Sequence, residues 1–177
     1  MYIWIAIDVN EQVRELREYA EGYTKTHGLI SPTLTLPFHI SLKISFQIPD
    51  TLHREVARDI RDFCKSLKPF TIPVKKAEAS GTILWLTMQD TAELTYIHNK
   101  LDEMLLEKYG IEQHLFDKDF IFHTSLLIIN DEDHILRAFD KIKGVNIPSA
   151  IKAKKIIIGS SKDGQPGTYK VDEEISL

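Results

Sequence analysis

The sequence predicts an α+β fold made of two similar halves, with mixed or antiparallel sheets and helices on the outside. Three observations carry that expectation. Strand-like and helix-like periods alternate, yet strand-like runs also stand side by side at Phe70–Met88 and near the C-terminus, which a purely parallel βαβ arrangement does not produce. The chain also repeats itself. With Trp4 laid over Trp85, an offset of 81 residues, Tyr2-Ile3-Trp4-Ile5-Ala6-Ile7 covers Ile83-Leu84-Trp85-Leu86-Thr87-Met88, and the helix-like Glu11–His27 covers Ala92–Tyr109. Finally, His39-Ile40-Ser41-Leu42 and His123-Thr124-Ser125-Leu126 fall at matching places after a three-residue adjustment in the loop between.

In chain order, Tyr2–Asp8 reads as a strand, and Glu11–Thr26 as an amphipathic helix closed near Gly28. Leu29–Leu36, with Ser31-Pro32, is a loop or lid. Pro37–Ile48 is the first motif strand and Thr51–Leu67 a helix, followed by strands Phe70–Ala79 and Gly81–Met88. Thr91–Tyr109 is a long helix and Ile111–Lys118 a second loop. Phe120–Ile129 is the second motif strand, Glu132–Ile142 a helix, Ile151–Ser160 a strand and Thr168–Ile175 a final strand after a polar turn. No linker separates independent units, so residues 1–177 are expected to form one domain of two similar lobes, one His-x-Ser motif in each. Two sheets, one per repeat, then face each other across a cleft.

Composition narrows the function classes. Hydrophobic residues make up 43% of the chain and charged residues 27%, the balance of a globular domain with a core of its own. A lone Cys64 on the apolar stripe Val56, Ile60, Phe63, Leu67 reads as a buried structural thiol. With no leader and no apolar run of membrane-spanning length, the expectation is a cytoplasmic protein with no membrane partner, acting as a monomer. A net charge of −4 argues against gripping a long duplex, which calls for a basic face. Only local basic runs occur, at Lys75-Lys76, Lys141–Lys143 and Lys152–Lys155, and such runs are ordinarily solvated faces. A small substrate, or the end of an RNA, fits better.

The motif pair carries the chemistry. In an extended strand, residues i and i+2 share a face, so each motif aims an imidazole and a hydroxyl to one side. With 7 His in the chain the bare spacing is not specific; its recurrence within a repeat is. Imidazoles titrate near neutrality and suit proton transfer, and hydroxyls can hold a phosphate oxygen. The same parity puts Lys43 and Ser45 beside His39 and Ser41, and Leu127 and Ile129 beside His123 and Ser125. His27, His53, His98, His114 and His134 lack the pattern and read as surface or helix-end residues. Trp4, Trp85 and Phe38 read as core aromatics. Tyr169, next to a Gly-rich turn, is the best candidate to meet a ligand. No Cys/His cluster has zinc spacing, and no acidic cluster suggests a two-metal site.

Two His-x-Ser/Thr-x tetrads half a chain apart in a duplicated protein of this size resemble the 2H phosphoesterase superfamily. Its RNA 2′,3′-cyclic phosphodiesterases are historically called 2′-5′ RNA ligases. The resemblance implies a bilobal α+β fold of two facing, mainly antiparallel sheets with a pseudo-two-fold axis through a central cleft. It also implies cofactor-free and metal-free chemistry on cyclic phosphates or 2′-5′ diesters, at an RNA 3′ end or on a small cyclic-phosphate nucleotide. Carried over, His39 and His123 take the catalytic positions, Ser41 and Ser125 the phosphate-binding hydroxyls, and Lys43 a basic position two places after the first hydroxyl. Many members have an Arg five places after the second His; here Ile128 stands there. Of the two imidazoles, His123 is assigned as base and His39 as acid, a choice the sequence does not settle. Two alternatives stay open: a non-catalytic RNA-end or nucleotide-binding module, and an enzyme acting on 2′-5′ oligonucleotides or on a cyclic ADP-ribose phosphate.

Overall fold

A computed structural model describes residues 1–177. Its elements are β1 (Tyr2–Asp8), α1 (Arg14–His27), β2 (His39–Gln47), α2 (His53–Cys64), β3 (Phe70–Ser80), β4 (Ile83–Met88), α3 (Ala92–Tyr109), β5 (His123–Ile128), α4 (Glu132–Ile142), β6 (Ala150–Ala153), β7 (Lys155–Ser161) and β8 (Lys170–Ser176). They build two four-stranded sheets, ordered β2-β1-β7-β8 and β5-β4-β3-β6, with every pairing antiparallel. The repeat is visible even in the helix ends. Both α1 and α3 close on a glycine in the left-handed region, Gly28 at φ 63° and Gly110 at φ 65°, where a Cβ would be strained.

The sheets are not one per repeat, as the sequence suggested. β3, from the first half, pairs with β4 of the second; β7, from the second half, pairs with β1 of the first. The expected single strand Ile151–Ser160 is accordingly two. β6 belongs to one sheet and β7 to the other, with Lys154 between them accepting a bond from Leu177 N at 2.9 Å.

Each helix buries one stripe on its sheet: Leu16 and Ala20 from α1, Val56, Ile60 and Cys64 from α2, Leu101 and Leu105 from α3, Ile135 and Ala138 from α4. These join Ile3, Ile5, Ile7, Leu84 and Leu86 in one core of 36 buried residues, which at about 25 cal/mol per Å² of apolar area is the main stabilising term. Burial pushes the Cys64 thiol up to about 12. The other face of the first sheet carries a separate apolar cluster, Trp4, Ala6 and Ile157. That face lines the cleft.

Both motif strands carry a bulge just after the motif. Ala6 pairs with Ser41 while the adjacent Ile5 pairs with Lys43, so Leu42 is the extra residue; Trp85 pairs with Ser125 and Leu84 with Leu127, so Leu126 is extra. An extra residue inverts the parity of every residue after it in the strand. Lys43 and Leu127, expected on the cleft side, therefore turn into the core, 2% and 0% exposed. Ile128 takes the cleft side instead, opposite Ile83.

A bulge also leaves backbone groups unpaired on the outer edge, and these must find partners. The two halves solve this reciprocally. Leu42 O accepts from His98 Nδ1 at 2.8 Å, and Ile44 N donates to Asp117 Oδ1 at 3.2 Å. At the matching places Leu126 O accepts from Thr33 Oγ1 at 3.0 Å, and Ile128 N donates to Ser31 Oγ at 2.9 Å. The segment ahead of each motif strand thus straps the motif strand of the other half. Leu29–Leu36, read as a loop or lid, is pinned down by those two bonds.

Candidate active site

The cleft is built on β2 and β5, the two edge strands that lie side by side where the sheets meet. His39 opens β2 and His123 opens β5, and the rings are held alike. His39 Nδ1 donates to Pro37 O at 2.8 Å and His123 Nδ1 to Ile121 O at 2.7 Å. A carbonyl partner fixes the proton on Nδ1 in the neutral ring and leaves Nε2 free to exchange one. Each imidazole also packs on a tryptophan, Trp4 at 4.6 Å and Trp85 at 4.7 Å between ring centroids. The two Trp of this chain are therefore backstops for its two motif imidazoles. Their equivalence was legible in the repeat, but reading them as core aromatics placed them on the wrong face.

Burial is the main cause that lowers both imidazoles below 6.5. For His39, the bond to Pro37 opposes the shift, His123 adds to it, and Asp8, directly across the ladder, opposes it. The residue across from His123 is Thr87, so only His39 has a carboxylate beside it. Sequence reasoning missed Asp8, although it shares strand parity with Trp4 and Ala6.

Ser41 lies on the cleft face of β2, opposite Ala6, and Ser125 on that of β5, opposite Trp85. One cavity brings the halves together, being lined by His39 and Ser125 with Leu36, Ile128 and Tyr169; an adjoining one is lined by His39, Ser41, Ser45 and Tyr169. Tyr169 thus borders both, its hydroxyl 2.7 Å from Ser45 Oγ.

Lys43 is a correction. Its side chain is 1% exposed, and Nζ lies 2.7 Å from Asp102 Oδ1 and 2.5 Å from Asp117 Oδ2. The bulge at Leu42 turned it away from His39, and two carboxylates satisfy its charge. His98 is a second correction. Read as a surface or helix-end residue, it is 4% exposed, and it bonds Leu42 O and Asp117 O.

Trp4 reaches His39 because Gly159 lies beneath it. A Cβ there would come within 2.1 Å of Trp4 Nε1 and 2.4 Å of Lys170 O. Gly159→Ala is expected to push Trp4 toward His39 and β8 off its register, costing about 1–3 kcal/mol and lowering turnover. A thermal melt and a rate measurement on the same sample check both effects.

The family follows from comparison. A family model described as the 2′-5′ RNA ligase superfamily matches residues 5–165. The chain belongs to this superfamily. A Bacillus licheniformis protein named as a phosphoesterase is 26% identical over 98 residues, which are 53% of this chain and 56% of that one; the match thus spans about half the length of the curated relative. Among solved structures, TT0787 of Thermus thermophilus superposes over 100% of this chain and 98% of its own, with TM-score 0.67 and 16% identity. LigT of E. coli, in complex with 3′-AMP, covers 99% and 97% with TM-score 0.62 and 15% identity. At those identities the superpositions speak for the fold, that of a 2H phosphoesterase. No helix is long and apolar enough to cross a membrane.

Proposed function

We propose that this superfamily member is a metal-independent phosphoesterase that hydrolyses a 2′,3′-cyclic phosphate, at an RNA end or on a nucleotide. The observation that carries the proposal is the matched presentation of His39 and His123 from adjacent edge strands, each with Nδ1 tied to a carbonyl and Nε2 free. Ring opening by in-line attack needs a base on one side of phosphorus and an acid on the other. His123, with no carboxylate beside it, takes the proton from water as the oxygen bonds phosphorus. His39, whose protonated form Asp8 favours, gives its proton to the departing ribose oxygen as that P–O bond breaks. The product is an acyclic phosphomonoester, and the two imidazoles have exchanged protonation states. Ser41 and Ser125 hold the non-bridging oxygens and stabilise charge that develops there. Tyr169, bordering both cavities, contacts the nucleoside. LigT structures with 3′-AMP and with NADP+ support a nucleotide as the ligand class.

Phosphorus NMR of a 2′,3′-cyclic nucleotide incubated with the protein in EDTA tests the reading; a monoester signal is expected. Tight binding without turnover would instead favour the non-catalytic module. The pH profile is a second check. The reactive state has one neutral and one protonated imidazole, and both are lowered from 6.5 in the free protein, so the bell in kcat/KM centres on the acid side of 6.5. A bound phosphate anion favours both protonated forms, so the kcat bell lies at higher pH. A kcat/KM optimum well above 7 would contradict the assignment.

A further inference from the structure

A phosphate held only by Ser41 and Ser125 would keep its charge uncompensated, and Lys43 is committed to Asp102 and Asp117. The second sheet offers another cation. Across it, His123 pairs with Thr87 and Thr87 with Lys76. The bulge between Val74 and Lys76 sets Lys76 on the side of Thr87 and Trp85, away from Leu84 and Leu86 in the core. Lys76 and His123 therefore stand in one cross-strand row on the cleft face, two strand spacings or about 10 Å apart. Only the short Thr87 intervenes, and the flexible four-carbon stem of a lysine can lean across it.

We propose that Lys76 is the cation that neutralises the reacting phosphate, swinging over Thr87 to the oxygens held at Ser125 and His123. This rests on the phosphoesterase reading and supplies the charge that reading lacks. In the free protein, Lys76 Nζ pairs with Glu78 Oε1 at 2.8 Å, the two side chains 56% and 36% exposed. An ion pair that open to water is worth about 0–1 kcal/mol, so an arriving phosphate can displace it. Thr87 Oγ1 bonds Glu78 Oε2 at 3.2 Å, which keeps the carboxylate in place when the ammonium leaves. The matching row of the first sheet runs His39, Asp8, Lys155. There the lysine lies within 3.5 Å of Asp8 and 2.9 Å of Glu174. Two carboxylates hold Lys155 where one holds Lys76, and the second sheet is the side left with a cation to give.

The test uses the intrinsic fluorescence of Trp4 and Trp85, which pack on the two imidazoles and report ligand arrival without turnover. A nucleoside 2′-monophosphate is titrated into wild type, Lys76→Met, Lys76→Arg, Glu78→Gln and, as a control with the same charge change, Lys143→Met on α4's exposed end. Lys76→Met is expected to raise Kd about tenfold or more, the scale of losing a hydrogen bond to a charged group. Lys76→Arg is expected to recover most of that, Glu78→Gln to tighten binding by removing the competitor, and Lys143→Met to stay within about twofold, since exposed charges far apart are screened. Equal affinities for Lys76→Met and Lys143→Met overturn the proposal, as does an unchanged or weaker Glu78→Gln. If wild type opens no cyclic phosphate yet binds the monoester through Lys76, the activity reading falls and the phosphate site stands.

Discussion

Turnover of a 2′,3′-cyclic phosphate should fall by about 10²–10⁴-fold in His39→Ala and equally in His123→Ala, the scale of losing a general base or acid. Because both act in one proton-exchange step, the double variant is expected to lose little more than either single one, as residues working as a unit are strongly non-additive. Stability should change far less, since each ring lies at the opening of an edge strand and leaves its tryptophan in place. Measuring kcat and the thermal midpoint together separates the two effects. A single variant that folds and turns over normally removes that imidazole from the mechanism.

The largest effect on stability is expected at Lys43, not at the cleft. Lys43→Met leaves Asp102 and Asp117 facing each other inside the protein without their cation, and removing one partner of a buried ion set costs about 3–5 kcal/mol. In a chain of this size that lowers Tm by about 10 °C or more. The matching residue of the other half, Leu127, is fully buried with no charge around it. Replacing the set together, Lys43→Leu with Asp102→Leu and Asp117→Asn, should therefore recover much of the loss while keeping an acceptor for Ile44 N. Phosphate affinity should barely move in Lys43→Met. A large loss of affinity with unchanged Tm would restore Lys43 to the cleft.

The contrast between Lys43 and Ser45 marks how far strand parity can be read from sequence. The i, i+2 rule placed His39 with Ser41 and His123 with Ser125 on the cleft face, because nothing interrupts the ladder between those residues. Beyond Ser41 and Ser125 it failed at Lys43 and Leu127. A bulge leaves no local signature in Leu42 or Leu126; its partners lie far away, at His98 and Thr33. His98 was misread for the same reason, since its place on a helix says nothing of the strand edge it satisfies. Helix positions and the repeat itself were legible because periodicity and capping are local. The sheet membership of β3 and β7 was not, because antiparallel partners at either end of the chain present the same apolar alternation.

That exchange of strands has a consequence for how the chain acquires its fold. Neither half owns a complete sheet: β1 and β2, among the first residues made, have their remaining sheet partners β7 and β8 at the very end. Pairings that span nearly the whole sequence are slow to form and leave edges open meanwhile. A fragment ending after β5 would expose β1's unpaired side, built of Ile3, Ile5 and Ile7, to other chains. Both histidine strands would be present in such a fragment, yet the scaffold that holds one of them would not. Catalytic competence should thus appear late and all at once during synthesis, on release of the C-terminal segment and not on completion of the second motif.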